Sequence, residues 1–318
     1  MENRLPQNLI EAIRYYTDKD VCRNLLASLR WPDGVTCPHC QGKEVAFVQS
    51  VQRWNCKNCR KQFSVKVGTI FEESPIGLDK WFAALWMLTN AKNGISSCEI
   101  ARAIGVTQKT AWFILHRLRL ALKNGTVEKF AGTVEVDETY VGGKEKNKHA
   151  DKKQNKGRGT VGKSIVFGVL QRAQEKGEAS QVRVKVIQDT TQETLHGEIK
   201  QAVEEGSEVM TDAHKSYQGL DEHYAHAFVD HAIAYAEGRV YTNGVENFWN
   251  LFDRTMNGTY TFCLPQHLLR YADEQAYRFN QRKGTDLTRF LLALQQVVGK
   301  RLTYEELTTS HLEFLEPI

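Results

Sequence analysis

The chain has no long apolar run, no signal-peptide pattern and no strong excess of one charge. No stretch of about 18 consecutive apolar residues occurs in it, so the sequence predicts no membrane-spanning helix. Charged residues are spread through the opening MENRLPQNLIEAIRYY, where a signal peptide would be apolar. The net charge of +4 permits a nucleic-acid partner without requiring one. We therefore expect a cytoplasmic protein without a membrane partner.

Cysteine is scarce and unevenly distributed. Three of the seven cysteines are scattered, and packing as small apolar residues is the plain interpretation of each. The other four form two Cys-x-x-Cys pairs with the separation typical of a zinc ribbon. The expected compartment favours reduced thiolates on a metal over a disulfide framework, and a coincidental pairing of cysteines is the alternative. The sequence thus predicts one structural Zn²⁺ held by Cys37, Cys40, Cys56 and Cys59.

The segment around these cysteines has the pattern of a small β-domain. Apolar and polar residues alternate in EVAFVQSVQRWNC as in a short hairpin, and residues 62–67 predict one further strand. So small a unit cannot bury enough surface to fold alone, and zinc would supply the missing free energy. We place the zinc ribbon at residues 34–70, after a helical N-terminal segment at residues 1–33.

Helical periodicity replaces this alternation from Leu78 to Leu122. Ser96 and Glu99 have the spacing of a capping box, and Thr107 is a suitable N-cap for the helix that follows. The pattern predicts a helix-turn-helix DNA-binding domain at residues 75–125. A three-helix packing unit without a DNA-binding role is the alternative.

The last of these helices holds the candidates for DNA contact. Gln108, Lys109 and Thr110 are predicted to be exposed at its N-terminal end, where a recognition helix meets base edges. Basic residues further along the same helix also favour DNA binding, namely His116, Arg117, Arg119 and Lys123.

In residues 130–283 the helical periodicity gives way to short apolar strands alternating with helical segments. This pattern predicts an α/β domain with a mixed sheet flanked by helices. Helices are predicted at 191–203 and from Asn243 onward. The first and fourth strands end on Asp137 and Asp212, and the later helix carries Glu246. The four predicted strands cover residues 133–137, 164–170, 182–188 and 208–212.

A basic segment follows the first of these strands. Positions 144–163 hold eight Lys or Arg against two acids, without apolar periodicity, which predicts a loop at residues 143–163. Its place after a candidate catalytic aspartate favours contact with phosphates, and a merely solvated charge run is the alternative. The residues predicted to contact DNA here are Lys144, Lys146, Lys148, Lys152, Lys153 and Arg158. Residues 284–318 are predicted to form a C-terminal helical tail.

Three acids on separate elements suit phosphodiester chemistry. Two divalent ions about 3.5–4 Å apart can activate the attacking oxygen and stabilise the leaving one. Mg²⁺ and Mn²⁺ prefer carboxylate oxygens. We expect Asp137 to bridge two such ions, with Asp212 and Glu246 each holding one. Each acid alone could be a turn cap or a partner of the helix dipole, but the three together, in this order and on these elements, favour catalysis.

Four other acids compete for these roles. Glu138 and Glu135 lie on the same strand as Asp137, and strand alternation turns Glu138 away from the side chain of Asp137 but leaves Glu135 on its face. Asp230 and Glu237 precede the late helix in irregular polar sequence and are weaker rivals for the third position.

Several strings in the chain match one known family. The most specific is D-E-x-Y-V-G-G-K at Asp137–Lys144. The other matching residues are Arg30-Trp31-Pro32, Cys37-Pro38-x-Cys40, Thr211-Asp212, Tyr217, Thr242-Asn243, Glu246, Trp249, Gly258-Thr259-Tyr260, Tyr271, Glu274, Arg278, Phe279, Asn280 and Arg282. On these residues the chain, to about residue 283, resembles bacterial insertion-sequence transposases of the DDE class, in the ISXO-like group with an N-terminal zinc ribbon.

The resemblance implies a ribonuclease-H-like catalytic core with Asp137, Asp212 and Glu246 as catalytic residues. It also implies Mg²⁺- or Mn²⁺-dependent cleavage and joining of double-stranded DNA, with recognition of terminal inverted repeats by the N-terminal modules. Strand transfer generally needs two DNA ends, so a homodimer or larger assembly is expected. Such a bacterial protein would be associated with the nucleoid when bound to DNA.

Two positions depart from the family pattern. The family usually has a lysine seven residues after the glutamate, where this chain has Asp253, and Tyr241 stands where histidine is common. Arg254 could replace the lysine in part as a DNA contact, although it projects about 100° further round the helix. A catalytically inactive DNA-binding protein derived from such a transposase is therefore the main alternative. A ribonuclease or structure-specific nuclease on the same core is a third possibility.

Overall fold

The computed structural model describes residues 5–123, 128–142, 162–175, 177–229 and 240–309. The chain divides into two compact units, one built from Met1–Lys123 with Gly284–Thr309 and the other built on Asn124–Lys283. Among the described residues, no helix has the length and apolar character that crossing a membrane requires.

The first unit opens with two helices, α1 (Leu9–Tyr16) and α2 (Lys19–Arg30). A three-stranded antiparallel sheet in the order β1-β2-β3 follows them, with β1 at Val45–Val48, β2 at Arg53–Cys56 and β3 at Gln62–Phe63. The predicted hairpin between the cysteine pairs is therefore confirmed. The third strand is shorter than its sequence suggests, because the backbone turns away just past it, where the N–H of Thr69 donates to the carbonyl of Lys66.

Three helices come next, α3 (Leu78–Asn90), α4 (Ser97–Ile104) and α5 (Gln108–Leu122). The predicted capping box of Ser96 with Glu99 is confirmed, and so is the N-cap of Thr107, whose hydroxyl accepts from the N–H of Thr110. The turn between α4 and α5 uses a left-handed Gly105. These caps fix where each helix begins and therefore which residues open α5.

Residues 284–309, predicted to be an appended tail, belong to the core of the first unit. They form α9 (Asp286–Gln295) and α10 (Tyr304–Thr308). Phe290 on α9 is fully buried, and its ring packs against those of Tyr16, Phe82 and Trp86. Helix α3 therefore packs against α9 as well as against α1, whereas its sequence predicts a single buried stripe.

The second unit is a five-stranded mixed sheet in the order β6-β5-β4-β7-β8. Strands β5 and β6 continue antiparallel from β4 on one side, whereas β7 and β8 run parallel to β4 on the other. The strands are β4 (Thr133–Val141), β5 (Ser164–Gln171), β6 (Gln181–Ile187), β7 (Glu208–Asp212) and β8 (Ala225–Val229). Each of the first four overlaps a predicted strand, but β4 continues four residues past the predicted end at Asp137, because residues 138–141 also pair with β5. The sequence does not predict β8, because AHAFV is a short edge strand.

Helices cover both faces of this sheet. Helix α6 (Gln192–Ala202) buries Leu195 and Ile199 against one face, which we call the α6 face. Helices α7 (Asn243–Thr255) and α8 (Pro265–Asn280) bury Phe248 and Leu268 among others against the opposite face, which we call the α7 face. Strand order, direction and helix placement together are those of a ribonuclease-H-like fold.

Candidate metal centres and nucleic-acid interface

The four paired cysteines form one cluster. Their sulfur atoms all lie within 4.8 Å of one another, with Sγ–Sγ separations of 3.7 Å for Cys37–Cys59 and 3.6 Å for Cys40–Cys56. A tetrahedral zinc ion with Zn–S bonds of about 2.3 Å requires sulfur atoms about 3.8 Å apart. The donor set and its spacing therefore fit a structural zinc ion.

The two cysteine pairs have the same backbone geometry. In each pair the residue after the second cysteine has a positive φ, 60° at Gln41 and 59° at Arg60. The N–H of that residue donates to the carbonyl of the first cysteine of its pair. Hydrogen bonds from backbone N–H groups, first that of Cys59, lower the pKa of the Cys56 thiol.

Asp137 and Asp212 lie level with each other on adjacent parallel strands. The register pairs Glu135 of β4 with Met210 of β7, and two residues further along the two strands lie Asp137 and Asp212. Residues level with each other in neighbouring strands project to the same face. Val209 packs on the α6 face, so alternation along β7 turns Asp212 to the α7 face. Asp137, which lies level with Asp212, projects to the same face.

Glu246 lies on α7, which packs on this same face against β4 and β5. The Thr242 hydroxyl donates to its carboxylate at 2.9 Å. Burial, the charge of Glu138 and the charges of Asp212 and Glu246 raise the pKa of Asp137 to about 8. A nearby divalent cation would offset this concentration of negative charge.

The three carboxylates do not form a single tight cluster. Within the described ranges, the four cysteines are the only group of three or more His, Cys, Asp or Glu residues whose ligand atoms all lie within 4.8 Å of one another. One ion held by all three acids would require such a cluster. Two ions, each shared by two acids, would not require one.

The rival acids on β4 are engaged elsewhere. The carboxylate of Glu138 accepts from the buried Tyr217 hydroxyl at 2.7 Å, on the α6 face. The carboxylate of Glu135 is 1% exposed, forms an ion pair with Arg172 and lies on the α7 face. The predicted alternation along β4 is thus confirmed. The other rivals, Asp230 and Glu237, lie outside the described residues.

Two residues that shape the site were not singled out for that role from the sequence. Gly168 of β5 lies directly opposite Asp137, and the ring of Trp249 on α7 covers it. A glycine inside an otherwise apolar strand, SIVFGVL, is the signal that could have indicated this close approach. Because Gly168 has no side chain, α7 can approach the sheet closely.

The candidate base-reading residues lie at the start of α5. Gln108 and Lys109 are exposed, whereas Thr110 is only partly exposed and shares a hydrogen bond with Thr107 at 2.9 Å between hydroxyl oxygens. The Gln108 amide donates to the Ser97 hydroxyl at 2.8 Å. The Lys109 ammonium lies 4.8 Å from the centre of the Tyr304 ring on α10. The position of Thr110 thus differs from the predicted exposure.

Three of the four basic residues along α5 that favour DNA binding in the sequence are buried, so they do not support that interpretation. His116, Arg117 and Arg119 are between 0% and 4% exposed. The Arg117 guanidinium donates to the Glu72 carbonyl at 2.7 Å and lies near the Trp81 ring. The contacts of Arg117 with residues 72 and 81 come from chain segments outside α5, which the local sequence of the helix does not show.

The remaining DNA-binding candidates divide into two groups. Lys144, Lys146, Lys148, Lys152, Lys153 and Arg158 lie outside the described residues. Arg254 and Asp253 are exposed near the end of α7. Asp253 follows Glu246 by seven residues, so it lies on the same side of the helix about two turns further along.

Comparisons with known proteins agree with this architecture. Residues 129–280 match the ISXO2-like transposase domain, and residues 17–62 match the transposase zinc-ribbon domain. A protein of Halobacterium salinarum, described as an uncharacterized protein in transposable element ISH50, is 30% identical over 259 residues. That alignment covers 77% of this chain and 85% of the relative.

A second, shorter relative is an uncharacterized transposase-like protein of Haemophilus influenzae. It is 32% identical over 96 residues, which cover 30% of this chain and 77% of the relative. Fold, cysteine cluster and relatives define a transposase with a ribonuclease-H-like domain and a zinc ribbon. The chain belongs to the ISXO-like family of insertion-sequence transposases.

Proposed function

We propose that this transposase binds the terminal inverted repeats of its insertion sequence, cuts the DNA there and joins the ends to target DNA. The observation that carries the proposal is the pair of aspartates level on β4 and β7, with Glu246 of α7 on the same face. In a transposase family, three acids so arranged suit phosphodiester chemistry. Asp137, Asp212 and Glu246 are then the catalytic residues.

The three carboxylates would hold two Mg²⁺ or Mn²⁺ ions. Asp137 would bind both ions, whereas Asp212 and Glu246 would each bind one of them. When bound, such ions activate an attacking oxygen and stabilise the leaving one. In the first step a water oxygen attacks phosphorus and the P–O bond to the 3′ oxygen breaks, which frees a 3′-hydroxyl. In the second step this hydroxyl attacks a target phosphodiester, and one P–O bond forms as another breaks.

The N-terminal unit would supply DNA recognition. Zinc held by the four cysteines would stabilise the ribbon, and Gln108, Lys109 and Thr110 open the helix that reads bases. Both Gln108 and Lys109 are exposed, which recognition requires. The basic residues between positions 143 and 163, together with Arg254, would contact phosphates. Two element ends must be joined in one event, so we propose a dimer or larger assembly on DNA.

The test is a cleavage and strand-transfer assay on labelled element-end DNA with Mg²⁺ or Mn²⁺. Wild type should give metal-dependent products, and Asp137→Asn should give none while it still shifts the same DNA in a gel. Products from Asp137→Asn would refute the role of Asp137. Binding without products from wild type would favour the inactive DNA-binding protein, which the acidic Asp253 in place of lysine makes the second candidate. Cleavage of RNA or branched DNA in preference to element ends would instead indicate the nuclease.

A further inference from the structure

We infer that Glu135 and Arg172 form a positioning pair that fixes the first turn of α7, and with it Glu246. The inference rests on the proposed function, because it concerns how one proposed metal ligand is held. Glu135 itself is not a ligand in this inference. Its carboxylate is 1% exposed and both of its oxygens already accept hydrogen bonds.

The first step is the cap of α7. The first N–H groups of a helix have no partner inside the helix, and the N-cap side chain usually accepts one of them. The N-cap residue Thr242 makes no such bond, and its hydroxyl donates to Glu246 instead. The acceptor comes from the sheet, since Glu135 Oε2 accepts from the N–H of Val245 at 2.9 Å. A residue 110 positions away thus caps the helix at the residue next to Glu246.

The second step is what holds Glu135. Arg172, the residue that follows β5, donates from Nε to Glu135 Oε1 at 2.6 Å. The same guanidinium donates from Nη2 to the Tyr241 carbonyl at 2.7 Å and lies 3.7 Å from the centre of the Tyr241 ring. Arg172 therefore ties together the strand that carries Asp137 and the chain that enters α7.

The third step is the fit of the helix onto this carboxylate. An ideal Cβ at Gly244 would lie 2.7 Å from Glu135 Oε2 and 3.0 Å from Oε1. Position 244 therefore has room only for glycine while Glu135 keeps its place. Since Glu135 and Asp137 are two residues apart on one strand, the contact holds the first turn of α7 beside the strand that carries Asp137. A buried charge pair and a close backbone contact thus act on the same turn of α7.

A purely stabilising role is the competing explanation, because breaking any buried ion pair destabilises a protein. The chain offers a matched control in the same unit. Glu274 and Arg278 form a buried ion pair within α8, with the side chains 0% and 6% exposed. Glu274→Gln breaks that pair without touching the start of α7.

The experiment measures Mn²⁺ binding without DNA. Free Mn²⁺ is followed by electron paramagnetic resonance during titration of full-length, zinc-loaded protein, and thermal unfolding is recorded for each variant. The variants are Glu135→Gln, Gly244→Ala, Glu274→Gln and Asp137→Asn. Loss of a direct hydrogen-bond partner of a metal ligand typically costs 10- to 100-fold in metal affinity. Glu135 acts one step further out, through the turn that carries Glu246, so we expect a loss of about 10-fold for Glu135→Gln and Gly244→Ala. Glu274→Gln should lower the unfolding temperature and leave Mn²⁺ affinity little changed.

The outcomes separate the inference from the proposed function. Wild-type affinity in both Glu135→Gln and Gly244→Ala would overturn the inference. If Glu274→Gln weakened Mn²⁺ binding equally, the inference would also be overturned. Any loss of stability in this unit would then be enough to explain the lower Mn²⁺ affinity. If Glu135→Gln does not fold, Gly244→Ala, which removes no charge, tests the inference alone. Wild-type Mn²⁺ affinity in that variant would then overturn it. Mn²⁺ binding that Asp137→Asn leaves unchanged would instead refute the proposed metal site itself.

Discussion

Gly168 and Trp249 approach each other more closely than any side chain at position 168 would allow. An ideal Cβ on Gly168 would lie 2.5 Å from Cζ2 of the Trp249 ring. Gly168 is the partner of Asp137 in the β4–β5 register, and Trp249 lies on the helix that carries Glu246. This contact therefore determines how closely α7 approaches the sheet at the candidate site.

Gly168→Ala should destabilise the second unit and displace α7. Overpacking a tight core typically costs 1–3 kcal/mol, so we expect a loss of about that size in the free energy of unfolding. Element-end cleavage should fall as well, because Glu246 moves with α7. Urea unfolding and the cleavage assay measure the two effects.

Gly197→Ala is the matched control for this substitution. Gly197 lies inside α6, and nothing lies within 4 Å of an ideal Cβ there. Alanine in a helix interior is favoured over glycine by about 1 kcal/mol, so this variant should be more stable than wild type. Wild-type stability and activity in Gly168→Ala would show that α7 tolerates the added methyl group.

Cys56→Ser should abolish stoichiometric zinc binding and unfold the ribbon. Wild type should contain one zinc per chain, released by a strong chelator, because a structural zinc site contributes folding free energy directly. Zinc content by atomic emission and far-UV circular dichroism would record the change. Cys98→Ser, at an exposed cysteine outside the cluster, should retain one zinc. One zinc per chain in Cys56→Ser would refute the four-cysteine site.

Lys109→Ala should weaken binding to element-end DNA. If Lys109 reads a base, affinity should fall by about 1–3 kcal/mol for the correct end and little for unrelated DNA. If Lys109 contacts phosphate, binding to both DNAs should weaken. The slope of log affinity against log salt concentration should also decrease in magnitude by about 1. Fluorescence anisotropy at several salt concentrations distinguishes these results. Lys19→Ala, on exposed α2 surface, is the charge-matched control. Unchanged affinity at every salt concentration would place Lys109 outside the interface.

Asp253→Lys should strengthen DNA binding and increase strand transfer. The substitution replaces an exposed acid by a base on the side of α7 that carries Glu246, so repulsion of phosphates becomes attraction. Binding should become more salt-dependent, which anisotropy would detect. Asp221→Lys makes the same charge change in a turn next to Leu220, which packs on the α6 face, and should have a smaller effect. Equal effects of the two variants would indicate only the change in net charge.

The sequence by itself determined the features that depend on local spacing. Cysteine spacing predicts the ribbon, the capping box of Ser96 with Glu99 follows from residue types three apart, and alternation along β4 separates Asp137 from Glu138. Each depends on residues within one element, so short-range geometry suffices. The family resemblance rests on strings of the same local kind.

Only the tertiary structure decided which residues meet across the chain. It buries Arg117 against Glu72 and Trp81, pairs Glu135 with Arg172 and the start of α7, and brings residues 284–309 into the first unit. The farthest of these contacts join residues more than 190 positions apart. No periodicity or local propensity encodes such pairs, because their free energy comes from burial and charge pairing that exist only once separate elements have packed.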